Sequence, residues 1–265
     1  MQSKQGQKQL VGTLLMLHKV MLYKLVLNGR SFGVLFLALI LSLYGGWMVN
    51  AKLGYGYDWL YGFYDTEQHI AYYAPQNRFR TGFELTPVSV HKKVFQEIVE
   101  SVHANGEGLA DISYDYVGNN VPLLNHAEIV HLQDVANLIN AIHILAAICL
   151  VLLVICLASE YRYRINGSPN GQASIKGLLS VCLMLVALVV MAFVVFGAKA
   201  IFYQMHILIF PEDHQWFFYY QDSLMSTLMK APDLFAGIAV QIVFVGLLIY
   251  AAMLLALKRI VKIAP

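Results

Sequence analysis

Two polar stretches of this chain place histidine in otherwise apolar surroundings. The first, "EIVHLQDV", holds Glu128, His131 and Asp134 at three-residue steps, so the three side chains lie on a similar face if the stretch is helical. The second, "FYQMHILIFPEDHQW", holds His206. Histidine changes charge near neutral pH, so two imidazoles acting together can withdraw a proton from one atom and deliver one to another. The residue types therefore predict acid–base chemistry by His131 and His206.

The composition predicts that these histidines belong to a membrane protein. Of the 265 residues 58% are hydrophobic and only 13% are charged, which is too apolar for an ordinary soluble domain. A membrane span needs about 20 mostly apolar residues. Four stretches qualify, at 31–51, 137–159, 177–198 and 234–257. We therefore predict an all-α membrane protein with four transmembrane helices, the first of them a retained anchor rather than a cleaved signal peptide.

The distribution of basic residues predicts the orientation. Segments 1–30, 160–176 and 258–265 together hold eleven of the 18 Lys and Arg residues but one of the 16 acidic residues. By the positive-inside rule we expect them in the cytoplasm, as an interfacial N-terminal segment, a loop and a tail. A sizeable segment at 52–136 and a short one at 199–233 are then extracytoplasmic. Both termini are predicted to be cytoplasmic.

Helix length predicts where the two histidines lie. Asn125 and Glu128 have the spacing of a capping box, so a helix is expected to begin at Asn125. If this helix continues to Ser159, it is about 50 Å long, whereas the hydrocarbon core of a membrane is about 30 Å thick. His131 would then lie about 10 to 12 Å above the lipid tails. If the third helix continues past Lys199, His206 reaches a similar depth, and the short 160–176 loop makes the two helices antiparallel neighbours.

Other interpretations of these residues remain open. Glu128 serves equally as a cap, Asp134 as a solvated helix residue and Asp222 as a loop cap. Paired histidines on neighbouring helices also suit a haem- or metal-binding membrane protein, although no CxxCH or HExxH motif is present. Of the remaining histidines, His143 is expected to be hydrogen bonded within a span, and His126 and His214 are expected to be exposed.

The cysteines and the aromatic residues limit the chemistry further. All three cysteines, Cys149, Cys156 and Cys182, fall in predicted spans, so neither a disulfide framework nor an extracytoplasmic thiol nucleophile is expected. Aromatic residues crowd the segment from Tyr55 to Tyr73. This segment fits either an aromatic belt at the membrane interface or the lining of a lipid-binding crevice.

The two polar stretches also resemble the lipoprotein intramolecular transacylase (Lit) family of bacterial integral membrane proteins. "EIVHLQDV" matches the family pattern of Glu and His followed by Asp-Val. Beyond His206, "FYQMHILIFPEDHQWFFYYQDSLMSTLMKAPDLF" supplies Trp216, Asp222, Leu224 and Pro232 in the family's order. The resemblance implies an acyltransferase that moves the sn-2 acyl chain of a diacylglyceryl-modified lipoprotein to the α-amino group of its own N-terminal cysteine, which gives lyso-form lipoprotein.

The resemblance also implies the setting of the reaction. His131 and His206 are the expected catalytic residues, acting without an acyl-enzyme, and Glu128, Asp134, Trp216 and Asp222 are expected to support them. Diacylglyceryl lipoproteins and membrane lipid are the expected partners, with no nucleic acid, no cofactor and no metal. The expected location is the bacterial cytoplasmic membrane, with the active site on its extracytoplasmic face.

Overall fold

Three long apolar helices dominate the fold. A computed structural model describes residues 33–165, 187, 191 and 194–263. Within them, helices α1 (Gly33–Lys52), α5 (His126–Ile165) and α8 (Asp233–Ile263) each contain a segment long and apolar enough to cross a membrane. Their apolar side chains stay exposed, as at Ile148 and Val151 of α5, which is what a helix facing lipid requires. The predicted interfacial segment at 1–30, and most of the predicted span at 177–198, lie outside the described residues.

Helices α1 and α8 cross at a pair of glycines. A Cβ atom on Gly46 would lie 2.6 Å from the Gly246 nitrogen and 2.7 Å from the Ile242 oxygen. The two backbones therefore approach as closely as glycine allows, which is how membrane helices gain packing energy where burial from water contributes little. Along the same interface the Ser42 hydroxyl donates to the Met253 sulfur at 3.2 Å.

The chain between α1 and α5 folds over one end of the long helices. It contains the short helices α2 (Tyr57–Phe63) and α3 (Thr66–Tyr73) and the longer α4 (Val88–His103). Single helical turns at 54–56, 74–76, 83–85 and 109–111 connect them. We call residues 53–125 together with 198–232 the cap. It packs against the C-terminal end of α1 and the N-terminal ends of α5 and α8, as shown by the contacts of Gly237 of α8 with Leu60 and Tyr64.

Helix α4 forms because its apolar residues recur on one face. Val94, Ile98 and Val102, spaced four residues apart, are all buried, and Glu100 is exposed on the other side. The same recurrence in the sequence predicts an amphipathic helix from Pro87 to His103, and the observed helix confirms it, with Pro87 as the N-cap residue.

The prediction of an all-α protein needs one correction. Strands β1 (Ser113–Tyr116) and β2 (Asn119–Pro122) form an antiparallel hairpin, with Tyr114 opposite Val121. Val117 and Gly118 in the turn both have positive φ, of 54° and 78°, as a two-residue hairpin loop demands. The hairpin leads directly into α5, and the protein is mostly helical.

The second part of the cap lies between the third predicted span and α8. Helix α6 (Ala198–Ile209) begins after Gly197, whose φ of 76° interrupts the helical backbone. Glycine adopts this conformation without the strain that other residues would incur. The helix that was expected to continue through Lys199 is therefore interrupted at Gly197. Helix α7 (Leu224–Met229) begins at its N-cap residue Ser223, whose hydroxyl accepts from the Ser226 N–H, and it leads into α8.

Candidate active site

The beginning of α5 is fixed by the predicted capping box. The Asn125 side-chain oxygen accepts from the Glu128 N–H at 2.9 Å, and the Glu128 carboxylate accepts from the Asn125 N–H. Two N–H groups that lack helical partners are thereby satisfied. Glu128 is fully buried, and its other carboxylate oxygen accepts from the Ser223 hydroxyl. The carboxylate therefore joins the start of α5 to the start of α7.

His131 lies one turn further along α5, in an aromatic pocket. Its side chain is buried, with the ring centroid 4.8 Å from that of Phe210 and 6.0 Å from that of Phe218. Within the described residues the buried Nδ1 atom has no hydrogen-bond partner. Burial in such surroundings favours the neutral imidazole, because charge is poorly solvated there. This nitrogen is therefore a buried polar atom whose hydrogen-bonding capacity is not used by the described residues.

His206 approaches the same pocket from α6. Its Nδ1–H donates to the Phe202 carbonyl at 2.7 Å, which leaves the lone pair on Nε2. Its ring packs 4.0 Å from Phe202 and 5.0 Å from Trp216, centroid to centroid. Burial lowers the pKa of His206 below its ordinary value, and the bond to Phe202 only partly opposes this. Near neutral pH this imidazole is a neutral group that can accept a proton.

The two imidazoles lie beside each other. Their ring centroids are 6.0 Å apart, with 34° between the ring planes. Phe210 contacts both rings, at 4.8 Å from His131 and 5.2 Å from His206. This separation allows a small group between them to be within one hydrogen bond of each ring, which is the geometric requirement for paired acid–base catalysis.

The four supporting residues separate into two groups. Trp216 and Glu128 are part of the site, the first against His206 and the second within the anchored start of α5. Asp134 faces another histidine, since its Oδ2 accepts from His214 Nδ1 at 2.6 Å. Asp222 forms an ion pair with Arg78 at 3.2 Å. Neither of these last two carboxylates hydrogen bonds to a ring of the pair.

His126, His143 and His214, and the two described cysteines, have surroundings of their own. His126 is exposed, as predicted, whereas His214 is only partly exposed because it is bound by Asp134. His143 hydrogen bonds the Tyr44 hydroxyl at 2.8 Å, which confirms the predicted bonding within the span. Cys149 and Cys156 are free thiols well along α5, and Cys182 lies outside the described residues.

Sequence reasoning missed Ser223 and His214, which hold the loop that carries Trp216. Ser223 had one local signal, because it precedes the apolar run that begins α7, where serine is a favoured N-cap. Its bond to Glu128 spans 95 residues, and the bond between His214 and Asp134 spans 80. No local pattern encodes partners this distant.

The metal-binding interpretation gains no support from the geometry. In the part of the chain that the structure describes, no three side chains of histidine, cysteine, aspartate or glutamate come together as metal ligands. The fit to a resident metal is poor for a second reason, since the Nδ1 of His206 is occupied by a backbone carbonyl and aromatic rings fill the surroundings of the pair.

The long apolar helices are typical of a membrane protein, and the adjacent imidazoles of buried His131 and partly buried His206 form a candidate site for proton transfer. Comparison with known families is more specific. Residues 108–231 match the family model described as "Lipoprotein intramolecular transacylase Lit". This region carries both histidines, Trp216 and Ser223, and over it the predicted resemblance is confirmed. No curated protein and no solved structure gives a significant match.

The family match supports lipoprotein acyltransferase activity in general terms. The match leaves out α1 to α4, so the helices that build the first part of the cap are known from the structure alone.

Proposed function

We propose that the protein moves the sn-2 acyl chain of a diacylglyceryl-modified lipoprotein to the α-amino group of the same molecule's N-terminal cysteine. The product is the lyso-form, with an N-acyl group and an S-monoacylglyceryl group. The observation that carries this proposal is the pair of adjacent imidazoles of buried His131 and partly buried His206, with ring centroids 6.0 Å apart, within the region that matches the family. The reaction takes place on the extracytoplasmic face of the bacterial cytoplasmic membrane, where the positive-inside rule puts the cap.

In the first step the amine attacks the ester carbonyl. An α-amino group has a pKa near 8, and its neutral NH₂ form is the one whose lone pair forms the new C–N bond. As this bond forms, His206 accepts one proton of the nitrogen at Nε2, since its Nδ1–H is held by the Phe202 carbonyl. The attack gives a tetrahedral intermediate with negative charge on the former carbonyl oxygen.

In the second step the intermediate collapses. The protonated His206 passes its proton to His131, which becomes the general acid. The bond between the acyl carbon and the sn-2 oxygen then breaks, and the departing glycerol oxygen takes this proton from His131. Both imidazoles are neutral again, and one proton has moved from the amine nitrogen to the glycerol oxygen, so no proton is gained or lost overall. Amine and ester belong to one substrate molecule, and holding them in contact supplies a large part of the acceleration. No acyl-enzyme is needed, which agrees with the absence of a cysteine in the cap.

Mass spectrometry of lipoprotein N-terminal peptides tests the proposed reaction directly. A host that makes only diacylglyceryl lipoproteins is compared with the same host expressing this protein. We expect the N-terminal cysteine to gain an amide-linked acyl chain and the glyceryl group to lose one ester, with total acyl content unchanged. Gain of an amide-linked chain while both esters remain would show transfer from another lipid, and would contradict an intramolecular reaction.

A further inference from the structure

The loop between α6 and α7, residues 210–223, passes across the start of α5 and covers the histidine pair. We call it the crossing loop. Two of its aromatic residues contact the pair, Trp216 at 5.0 Å from the His206 ring and Phe218 at 6.0 Å from the His131 ring. Phe218 is buried, while its neighbour Phe217 is exposed. The position of this loop therefore decides how the two imidazoles are packed.

The crossing loop is held at both ends by charged groups. At the α7 end, Ser223 donates to the buried Glu128, and Arg78 pairs with Asp222 at 3.2 Å. At the α6 end, His214 Nδ1 donates to Asp134 Oδ2 at 2.6 Å. Arginine keeps its charge at every pH at which proteins are studied. Of these contacts, the one made by His214 has a cationic partner that loses its charge near neutral pH.

The contact between His214 and Asp134 is well placed to control the pair. Asp134 lies three residues after His131, so it presents its carboxylate one turn away on a similar face of α5. His214 lies two residues before Trp216. A bond between them fixes the loop directly beside the catalytic rings. The hydrogen bond that His214 donates to Asp134 raises the pKa of His214, and burial opposes this increase with a smaller effect. The negative charges of Asp134 and Asp213 raise the pKa further.

We propose that His214 is a positioning residue: its ion pair with Asp134 holds the crossing loop closed with Trp216 packed on His206, and loss of the His214 proton loosens the loop. The holding role concerns structure alone, whereas its effect on acyl transfer rests on the proposed function. Nothing in the family motifs singles out His214, so this control belongs to the structure of the present chain.

Accessibility of Trp216 tests the holding role without any reaction. The chain has three tryptophans, so Trp47→Phe and Trp59→Phe together leave Trp216 as the single reporter. In detergent or nanodiscs, its collisional quenching by iodide is measured from pH 6.5 to 9. We expect the quenching constant to rise severalfold as His214 loses its proton. Asp134→Ala should give the high value at every pH.

His214→Asn is the matched variant, because its amide N–H can donate to Asp134 but carries no charge and does not titrate. It should give the same quenching at all pH values, close to that of the parent at pH 9, and His126→Asn, which alters an exposed histidine of α5, should behave as the parent. If quenching in the parent is independent of pH, or if His214→Asn retains the same pH dependence, the proposal is wrong. Thermal unfolding of each variant verifies that it is folded.

The catalytic consequence is measured as the ratio of kcat/KM for the parent to kcat/KM for His214→Asn. Titration of the substrate amine and of the other enzyme groups cancels in this ratio. We expect this ratio to fall as pH rises through the His214 titration. His214→Ala should lose on the order of tenfold in kcat/KM at pH 6.5, within the range that a small displacement of catalytic groups costs.

A ratio that is independent of pH, together with pH-dependent quenching, would overturn the catalytic effect. Absence of acyl transfer in every variant, with quenching as expected, would reject the proposed function and leave the holding role intact.

Discussion

At the scale of single residues, the site consists of two imidazoles in different hydrogen-bonding states. The lone pair of His206 is directed to Nε2 by the bond from Nδ1–H to Phe202, whereas Nδ1 of His131 lacks a partner among the described residues. The sequence predicted both histidines as catalytic residues but left open which is the base and which is the acid. We assign His206 as the base because its Nδ1–H is bonded to the Phe202 carbonyl. Residue types alone do not show whether a side chain bonds the backbone of its own helix.

Replacement of either histidine should abolish most of the activity. His131→Ala and His206→Ala are each expected to reduce the rate of lyso-form production by roughly 10² to 10⁴, the usual contribution of a positioned acid or base. The double variant should lose little more than either single variant, because residues that act as a unit are not additive. The exposed His126→Ala is the control and should be unaffected. Near-normal turnover by a folded His131→Ala or His206→Ala protein would contradict the paired mechanism.

The pKa of His206 should respond to the packing of its ring. In protein labelled with ¹⁵N-histidine, NMR titration should place the midpoint of His206 below the ordinary value of about 6.5. Trp216→Gly should move it upwards, since removal of the indole lets water reach the ring. Since the folded state binds this proton less tightly than the unfolded state does, the stability due to neutral His206 is complete above about pH 6.5 and is lost as pH falls below it. A midpoint at or above the ordinary value would contradict the burial argument.

At the scale of elements, helix starts position the chemistry. The buried carboxylate of Glu128 closes the capping box of α5 and also binds the N-cap residue of α7. The first of these roles was predicted from the spacing of Asn125 and Glu128. The second required the two helices to be brought together by tertiary packing, which no pattern within either segment describes.

Loss of the Glu128 carboxylate should therefore destabilise both helix starts. We expect Glu128→Ala to lower the free energy of unfolding by about 1 to 3 kcal/mol, because two donors lose their acceptor. Ser223→Ala should cost less, about 1 kcal/mol, as is typical of a lost N-cap. Thermal or denaturant unfolding in detergent measures both. Glu128→Ala with unchanged stability would show that water replaces the carboxylate.

Elements also show where sequence reasoning is reliable. The amphipathic period of α4 and the capping box of α5 are local signals, and both were confirmed. The sequence did not predict the hairpin of β1 and β2, because each strand has only four residues and gives too short a pattern to recognise. The break at Gly197 was missed because a glycine within an apolar run is compatible with a continuous helix.

At the scale of the whole molecule, the close crossing of α1 and α8 holds the two ends of the described chain together. We expect Gly46→Ala to lower the thermal stability, since the new methyl group would meet backbone atoms of α8 at 2.6 and 2.7 Å. Gly33→Ala, in the same helix with nothing within 4 Å of the added atom, is the matched control. It should leave stability unchanged or raise it, because alanine favours helix over glycine. Equal effects of the two substitutions would show that the crossing is not close-packed in the membrane.

The orientation of the molecule can be tested with introduced cysteines. Cys149, Cys156 and Cys182 are first replaced by alanine, which should leave acyl transfer largely intact if no thiol acts as a nucleophile. In this background, Glu107→Cys on the exposed surface of the cap should react with an impermeant reagent added outside intact cells. Asn166→Cys, in the predicted cytoplasmic loop, should not. Labelling in the opposite sense would contradict the placement of the active site outside the cytoplasm.

The separation in sequence between the partners of the site has a consequence for biosynthesis. Glu128 and Ser223 are 95 residues apart, and His131 and His206 lie on helices that are separated by a predicted cytoplasmic loop. A growing chain that has inserted α1 and α5 therefore holds only half of the pocket. In the proposed orientation, the pocket closes only when the segment with α6 and α7 has crossed the membrane and Ser223 has reached Glu128. We therefore expect nascent protein to be unable to act on lipoproteins until its insertion is nearly finished, so that the proposed enzymatic activity would measure completed assembly.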